Sequence, residues 1–143
     1  MQTPSTSSVS AIRTDFSGKH ILIADDEPIN MMIAGKMLVA KNAAISKAAN
    51  GHELLQQLSL GLRPDLILLD INMPGLDGYM TVRRIKEHYP ELIVFAFTAF
   101  FIDDEMEQEL IEKGFSGVMQ KSYKPEIFYD KISLAFDTIS RFS

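Results

Sequence analysis

The sequence predicts an α/β fold, five parallel strands in one sheet with helices on both faces. Three features carry that expectation. Short apolar runs alternate five times with stretches of helical periodicity. The runs are apolar throughout, as in strands covered on both sides. The 143 residues, 46% hydrophobic and 23% charged, have the size and composition of one globular core.

The elements follow in order. Residues 1–17 read as a flexible Ser/Thr-rich tail or linker, because Thr3, Ser5, Thr6, Ser7, Ser8 and Ser10 crowd around Pro4 with little apolar surface to bury. The domain is expected over 18–143. Ile21 to Ala24 is the first strand. Pro28 suits a first helical turn, and Ile29, Ile33, Met37 and Ala40 follow at near-helical spacing. Ala43 to Lys47 is a weaker strand. Leu54, Leu55, Leu58 and Leu62 mark the second helix, with Gly61 and Pro64 near its end. Leu66 to Leu69 is the third strand. After Pro74-Gly75 and Asp77-Gly78, a turn-forming stretch, Tyr79, Val82, Ile85 and Tyr89 form a third helical stripe. Leu92 to Phe97 is the fourth strand. Asp103, Asp104 and Glu105 open the fourth helix at its positive dipole end, and Gly114 closes it. Val118 and Met119 lie in the last strand. Phe128, Ile132, Ala135, Phe136 and Ile139 line one face of a final helix starting near Pro125. Five such units favour the flavodoxin-like strand order 2-1-3-4-5. Ligands then bind beyond the carboxyl ends of the strands, where the order reverses between strands 1 and 3.

Bulk properties narrow the function by exclusion. No apolar run approaches the roughly 20 residues that span a bilayer, and no basic segment precedes an apolar one as in a secretory signal. With no cysteine there is neither a disulfide nor a thiolate metal site, which suits a cytoplasmic setting. A net charge of -5 argues against direct nucleic-acid binding. His20, His52 and His88 share no metal-ligand spacing and read as surface or packing residues. Methionines such as Met31, Met32 and Met37 read as core filler.

Chemistry concentrates at the strand ends. Strand 1 ends in Asp25-Asp26, strand 3 in Asp70 with Asn72 two residues on, strand 4 in Thr98 and strand 5 in Lys121. The predicted topology brings these segments to one cleft. Three carboxylates there repel each other, a cost that a hard cation relieves, and Mg²⁺ suits oxygen ligands plus a substrate phosphate oxygen. Taken singly, Asp25 or Asp26 reads equally well as a helix cap before Pro28. Asp70 can attack phosphorus and form an acyl phosphate. Lys121 supplies an ammonium for one phosphoryl oxygen and Thr98 a hydroxyl for another, while Ala99 leaves room beside them.

These residues resemble the receiver domains of bacterial two-component systems, from about Lys19 to about Ile139. ILIADDEPIN, LILLDINMPGLDG, FTA and VMQKSYKPEIF carry the resemblance in that order. It implies Asp70 as the phosphoacceptor, with Thr98 and Lys121 sensing the phosphoryl group. It implies Asp26 and Asp70 as Mg²⁺ ligands, Asp25 mostly through water and Asn72 through its backbone carbonyl, with Mn²⁺ a substitute ion. It implies a histidine kinase or histidine phosphotransfer domain as donor and self-catalysed dephosphorylation, so a signalling domain and not an enzyme. Self-association through the helix 4–strand 5–helix 5 face is one expected mode of readout. The Ser/Thr-rich stretch before FSGKHILIADDEPIN is similar to linkers preceding receivers in hybrid histidine kinases, so the chain reads either as a domain of such a kinase or as a stand-alone regulator.

Two positions depart from the family pattern. Ser122 follows Lys121 where proline is usual, and Lys124-Pro125 is a decoy better placed to start the last helix. Val118 stands where the family often has an aromatic that rotates when the threonine moves. The loop after Thr98, with Phe100 and Phe101, is then the expected substitute for that rotation, and an apolar partner surface competes with plain packing as the role of the two phenylalanines. Two other functions remain alternatives. A receiver-like scaffold would bind partners without phosphorylation. A Mg²⁺-dependent phosphohydrolase of the haloacid dehalogenase type would need an aspartate two residues after Asp70, where Asn72 stands. A flavodoxin-type FMN carrier shares the fold, but Asp25-Asp26-Glu27 would repel the FMN phosphate.

Overall fold

The computed structural model describes residues 15–73, 77–122 and 124–142, the last of these with side chains to 137. The elements are β1 (His20–Ala24), α1 (Pro28–Val39), β2 (Ala44–Ala48), α2 (Gly51–Ser59), β3 (Leu66–Leu69), α3 (Gly78–His88), β4 (Val94–Thr98), α4 (Asp104–Glu112), β5 (Gly117–Gln120) and α5 (Pro125–Phe142). All strand pairings are parallel and the order is β2-β1-β3-β4-β5. This is the predicted doubly wound α/β sheet.

The helices start and stop where local chemistry dictates. Pro28 occupies the first turn of α1, where its missing N–H costs nothing. The side chains of Asn50, Asp77 and Asp103 accept the N–H groups of Glu53, Met80 and Met106, capping α2, α3 and α4. Gly114 follows α4 with φ +117°, a conformation that glycine adopts without a Cβ penalty.

Two apolar layers sandwich the sheet. Leu22, Ile67, Leu69, Val94 and Ala96 pack against Leu54 and Leu58 of α2, Val82 and Ile85 of α3, and Leu110 of α4. Ile21, Ile23, Leu66, Leu68 and Phe97 pack on the other side against Ala34 and Leu38 of α1 and Phe128, Ile132 and Phe136 of α5. Alternate residues of each strand thus serve opposite layers, which is why the runs are apolar throughout.

Several sequence expectations shift. The buried face of α1 is Ala34, Gly35 and Leu38, while Ile29 is exposed. That helix is apolar on every side, so periodicity had no polar face to measure against. Close packing selects the face instead: a Cβ on Gly35 would lie 2.9 Å from Ile45 Cδ1. Met31 and Met37 pack against the core as expected, but Met32 is exposed. α2 ends at Ser59, so Leu62 packs from beyond the helix. Packing against the core extends to residues ahead of 18. Phe16 is fully buried against the rings of Tyr129 and Phe136, and its N–H donates to the Lys41 carbonyl at 2.7 Å. One aromatic in a polar stretch suffices to tie Asp15 to Ser17 to the domain. Residues 1–14 of the expected tail, Pro74-Gly75 and the Ile139 side chain lie outside the described residues.

Candidate functional site

The strand ends are held by sheet hydrogen bonds continued past the strands. Asp25 N–H donates to Ala48 O at 3.1 Å, Asp70 N–H to Ala24 O at 2.9 Å and Lys121 N–H to Thr98 O at 2.6 Å. The side chains that follow therefore leave from a rigid rim. Gly78 supports that rim from beneath, because a Cβ there would lie 2.5 Å from Ile71 Cα and 2.8 Å from Asp70 O. Glycine lets the first turn of α3 sit directly against the Asp70–Ile71 backbone.

Asp25, Asp26 and Asp70 each bring a carboxylate oxygen within 4.8 Å of the others. Asp25 and Asp70 are buried, whereas Asp26 is exposed. One oxygen of Asp25 accepts the Glu27 N–H at 2.9 Å, and one oxygen of Asp70 accepts the Asn72 N–H at 2.9 Å. Lys121 enters from β5, with Nζ 2.7 Å from Asp25 Oδ2 and 3.5 Å from Asp70 Oδ2, and lies over the Phe97 ring. Thr98, also buried, accepts the Phe100 N–H on Oγ1 at 3.1 Å. Burial pushes the Asp70 carboxyl above the usual carboxylate range, and Asp25 adds to the rise. The Asn72 N–H and the Lys121 ammonium pull the other way.

All the residues expected from sequence at the strand ends are thus brought together. Lys121, and not Lys124, reaches the pocket. Lys124 is exposed, and its carbonyl accepts the N–H groups of Ile127 and Phe128 at the start of α5. Asn72 is exposed and joins the site through its backbone N–H. The ion pair between Lys121 and Asp25 escaped the sequence reading, which assigned Lys121 only to a phosphoryl oxygen. The signal was available, since Lys121 is the one cation at the strand ends, among three carboxylates. Among the described residues no peptide bond is cis, Lys121–Ser122 included. Phe100 and Phe101 do not pack on the last strands: they are 62% and 74% exposed.

Three clustered carboxylates served by one ammonium leave an excess of negative charge, and the all-oxygen donor set suits a hard divalent cation. The residues present fit Mg²⁺.

Comparison with known proteins agrees with this fold. The family profile described as "Response regulator receiver domain" matches residues 21–133, and the chain belongs to that family, the receiver domains of two-component systems. The sensor protein TorS of Escherichia coli K12 is 28% identical over 117 residues, covering 82% of this chain and 12% of that protein. The chain therefore spans about an eighth of the length of that curated relative. The chemotaxis response regulator CheY4 of Vibrio cholerae shares the fold, with a TM-score of 0.74 at 24% identity over 82% of this chain and 98% of that one. The response regulator TrrA of Thermotoga maritima, solved in complex with Mg²⁺-BeF, has a TM-score of 0.71 at 26% identity, covering 85% of this chain and 98% of that one. Among the described residues no helix is long and apolar enough to cross a membrane.

Proposed function

We propose that the chain is a phosphoacceptor switch in which Asp70 takes a phosphoryl group from a phosphohistidine and later loses it to water. The observation that carries this reading is the convergence of Asp25, Asp26 and Asp70 on one pocket with the Lys121 ammonium inside it. An Asp70 oxygen attacks phosphorus and forms a P–O bond. The P–N bond to the donor imidazole breaks, and the ring nitrogen keeps the electron pair. In the reset, water attacks phosphorus, the P–O bond to Asp70 breaks, and inorganic phosphate leaves the carboxylate restored. The domain catalyses only these two steps on itself.

Asp26 and Asp70 would hold Mg²⁺ directly, with Asp25 through water and the Asn72 carbonyl completing the protein's share, and Mn²⁺ would serve in its place. Such an ion supplies neutralising charge to the transferring oxygens. Lys121 exchanges its carboxylate partners for a phosphoryl oxygen. Thr98 Oγ1, now an acceptor for Phe100 N–H, turns to donate to another. The phosphoryl group carries about -1.5 to -2 where the carboxylate carried about -1, and this change in charge, size and hydrogen bonding then shifts a two-state equilibrium of the β4–α4 loop.

The donor is a histidine kinase or a histidine phosphotransfer domain, encoded in a partner or elsewhere in a longer hybrid kinase. Exposed Ile29, Met32 and Val39 on α1, directly after the acidic pair, offer it an apolar seat. Intact mass after incubation with phosphoramidate tests the reading. A gain of one phosphoryl group that requires Mg²⁺ and vanishes in Asp70→Asn supports it. No gain from phosphoramidate or from a phosphohistidine donor, with the fold intact, rejects it in favour of a non-phosphorylated scaffold.

A further inference from the structure

Phe100 and Phe101 stand exposed in the β4–α4 loop, and Met106 in the first turn of α4 is 42% exposed. Apolar rings side by side on the surface lose hydration free energy that packing would recover, so they mark an interaction surface. The helix beside them specifies its partner. Asp103, Asp104, Glu105, Glu107, Glu109 and Glu112 all lie within ten residues, all exposed, and the first basic residue after them is Lys113. The described residues form ion pairs between Arg83 and Glu87 and from Lys121 to Asp25 and Asp70, and none of the six acids takes part in one.

Folding accounts for only part of this charge. Asp103 caps α4, and Asp104, Glu105 and Glu107 sit in its first turn, where the helix dipole favours anions. Glu109 and Glu112 sit toward the other end, where the dipole disfavours them, and no basic residue occupies the last turn.

We propose that the β4–α4 loop and α4 form a docking site for a basic amphipathic segment of a partner protein, with Phe100 and Phe101 as its apolar anchors. The rings supply buried area, and the acids select Lys- or Arg-rich partners and hasten their encounter. A second copy of this chain fits less well, since α4 meeting α4 would oppose twelve carboxylates. Coupling of this site to Asp70 rests on the proposed function: Phe100 N–H is bonded to Thr98 Oγ1, so a turn of that hydroxyl toward a phosphoryl group frees the loop.

The test is chemical-shift mapping on the isotopically labelled chain with a 14-residue Lys/Leu amphipathic peptide and its Glu/Leu counterpart. The Lys/Leu peptide should shift residues 99 to 112. It should bind at least tenfold more weakly to Phe100→Ser/Phe101→Ser, and several-fold more weakly to Glu109→Gln/Glu112→Gln or at raised salt. Shifts centred on α1, or undiminished binding to the double serine variant, overturn the inference. So does a dimer in sedimentation that the double serine variant abolishes, because the occupant is then a second copy. Phosphoryl uptake is scored by mass on the same samples. Uptake without peptide binding overturns the docking site alone. Binding without uptake supports the docking site and counts against the proposed phosphoacceptor.

Discussion

Lys121→Met isolates the charge at the centre of the pocket. Methionine keeps most of the aliphatic stem over the Phe97 ring and removes the ammonium. Asp25, with no exposed side-chain surface, then loses its partner at 2.7 Å, and Asp70 loses the same cation at 3.5 Å. Breaking a buried pair from one side costs about 3–5 kcal/mol, because the remaining charge is desolvated and uncompensated. The Glu27 N–H still donates to Asp25 and holds the loss to the lower end, about 3 kcal/mol. For a domain of this size that is a fall in Tm of about 10 °C. Mg²⁺ should repair most of it by placing positive charge among the same carboxylates. The variant also needs to break no Asp25–Lys121 contact to admit the ion, so half-saturation should come at a lower Mg²⁺ concentration than in the wild type. Urea unfolding of both proteins, with EDTA and across a Mg²⁺ titration, reads both effects. An equal penalty with and without Mg²⁺, or a higher Mg²⁺ midpoint in the variant, would refute the reasoning that Lys121 and the ion compete for one pocket.

Three further predictions follow from packing and charge. Asp70→Asn should stabilise the Mg²⁺-free protein. Burial raises the folded pKa above 3.8, so the folded state holds the Asp70 proton to higher pH than the unfolded chain does. The contribution of Asp70 is thus fully present below about pH 3.8 and lost as pH rises through the raised value; melts in EDTA should favour the variant at pH 7.5, with the gap closing toward pH 4. Gly78→Ala should cost about 2–3 kcal/mol and weaken Mg²⁺ binding together, because the new Cβ meets backbone at Ile71 and Asp70; a neutral effect on both would show that α3 does not support the loop. Phe16→Ala should cost about 3–5 kcal/mol, as for a fully buried ring, and a chain starting at Gly18 should lose at least as much; urea midpoints unchanged in either would return Phe16 to the tail.

Most of the fold was legible because the strands advertise themselves. Ile21 to Ala24, Leu66 to Leu69 and Val94 to Phe97 are apolar on every residue, and the strand order follows from five βα units. The site was legible for the same reason, since each polar residue stands out at the end of an apolar run. What escaped depended on space and not on pattern. The apolar α1 hid its buried face until Gly35 met Ile45. Phe16 looked like part of a polar tail because its partners, Tyr129 and Phe136, lie more than a hundred residues away. The sequence offered two readings of Phe100 and Phe101, and only the packing around β4 separates them, leaving both rings in solvent. Val118, in β5, is partly buried on the sheet face that Ile102 also packs against, and its short side chain offers no rotating ring.

The most direct test of the account locates the phosphoryl group. The protein is loaded from phosphoramidate with Mg²⁺, reduced with borohydride to convert any acyl phosphate to an alcohol, digested and sequenced by tandem mass spectrometry. The account predicts homoserine at position 70 and unmodified aspartate at positions 25 and 26. Reduction at Asp25 or Asp26, a phosphoryl group on a hydroxyl or histidine instead, or no Mg²⁺-dependent modification would contradict it.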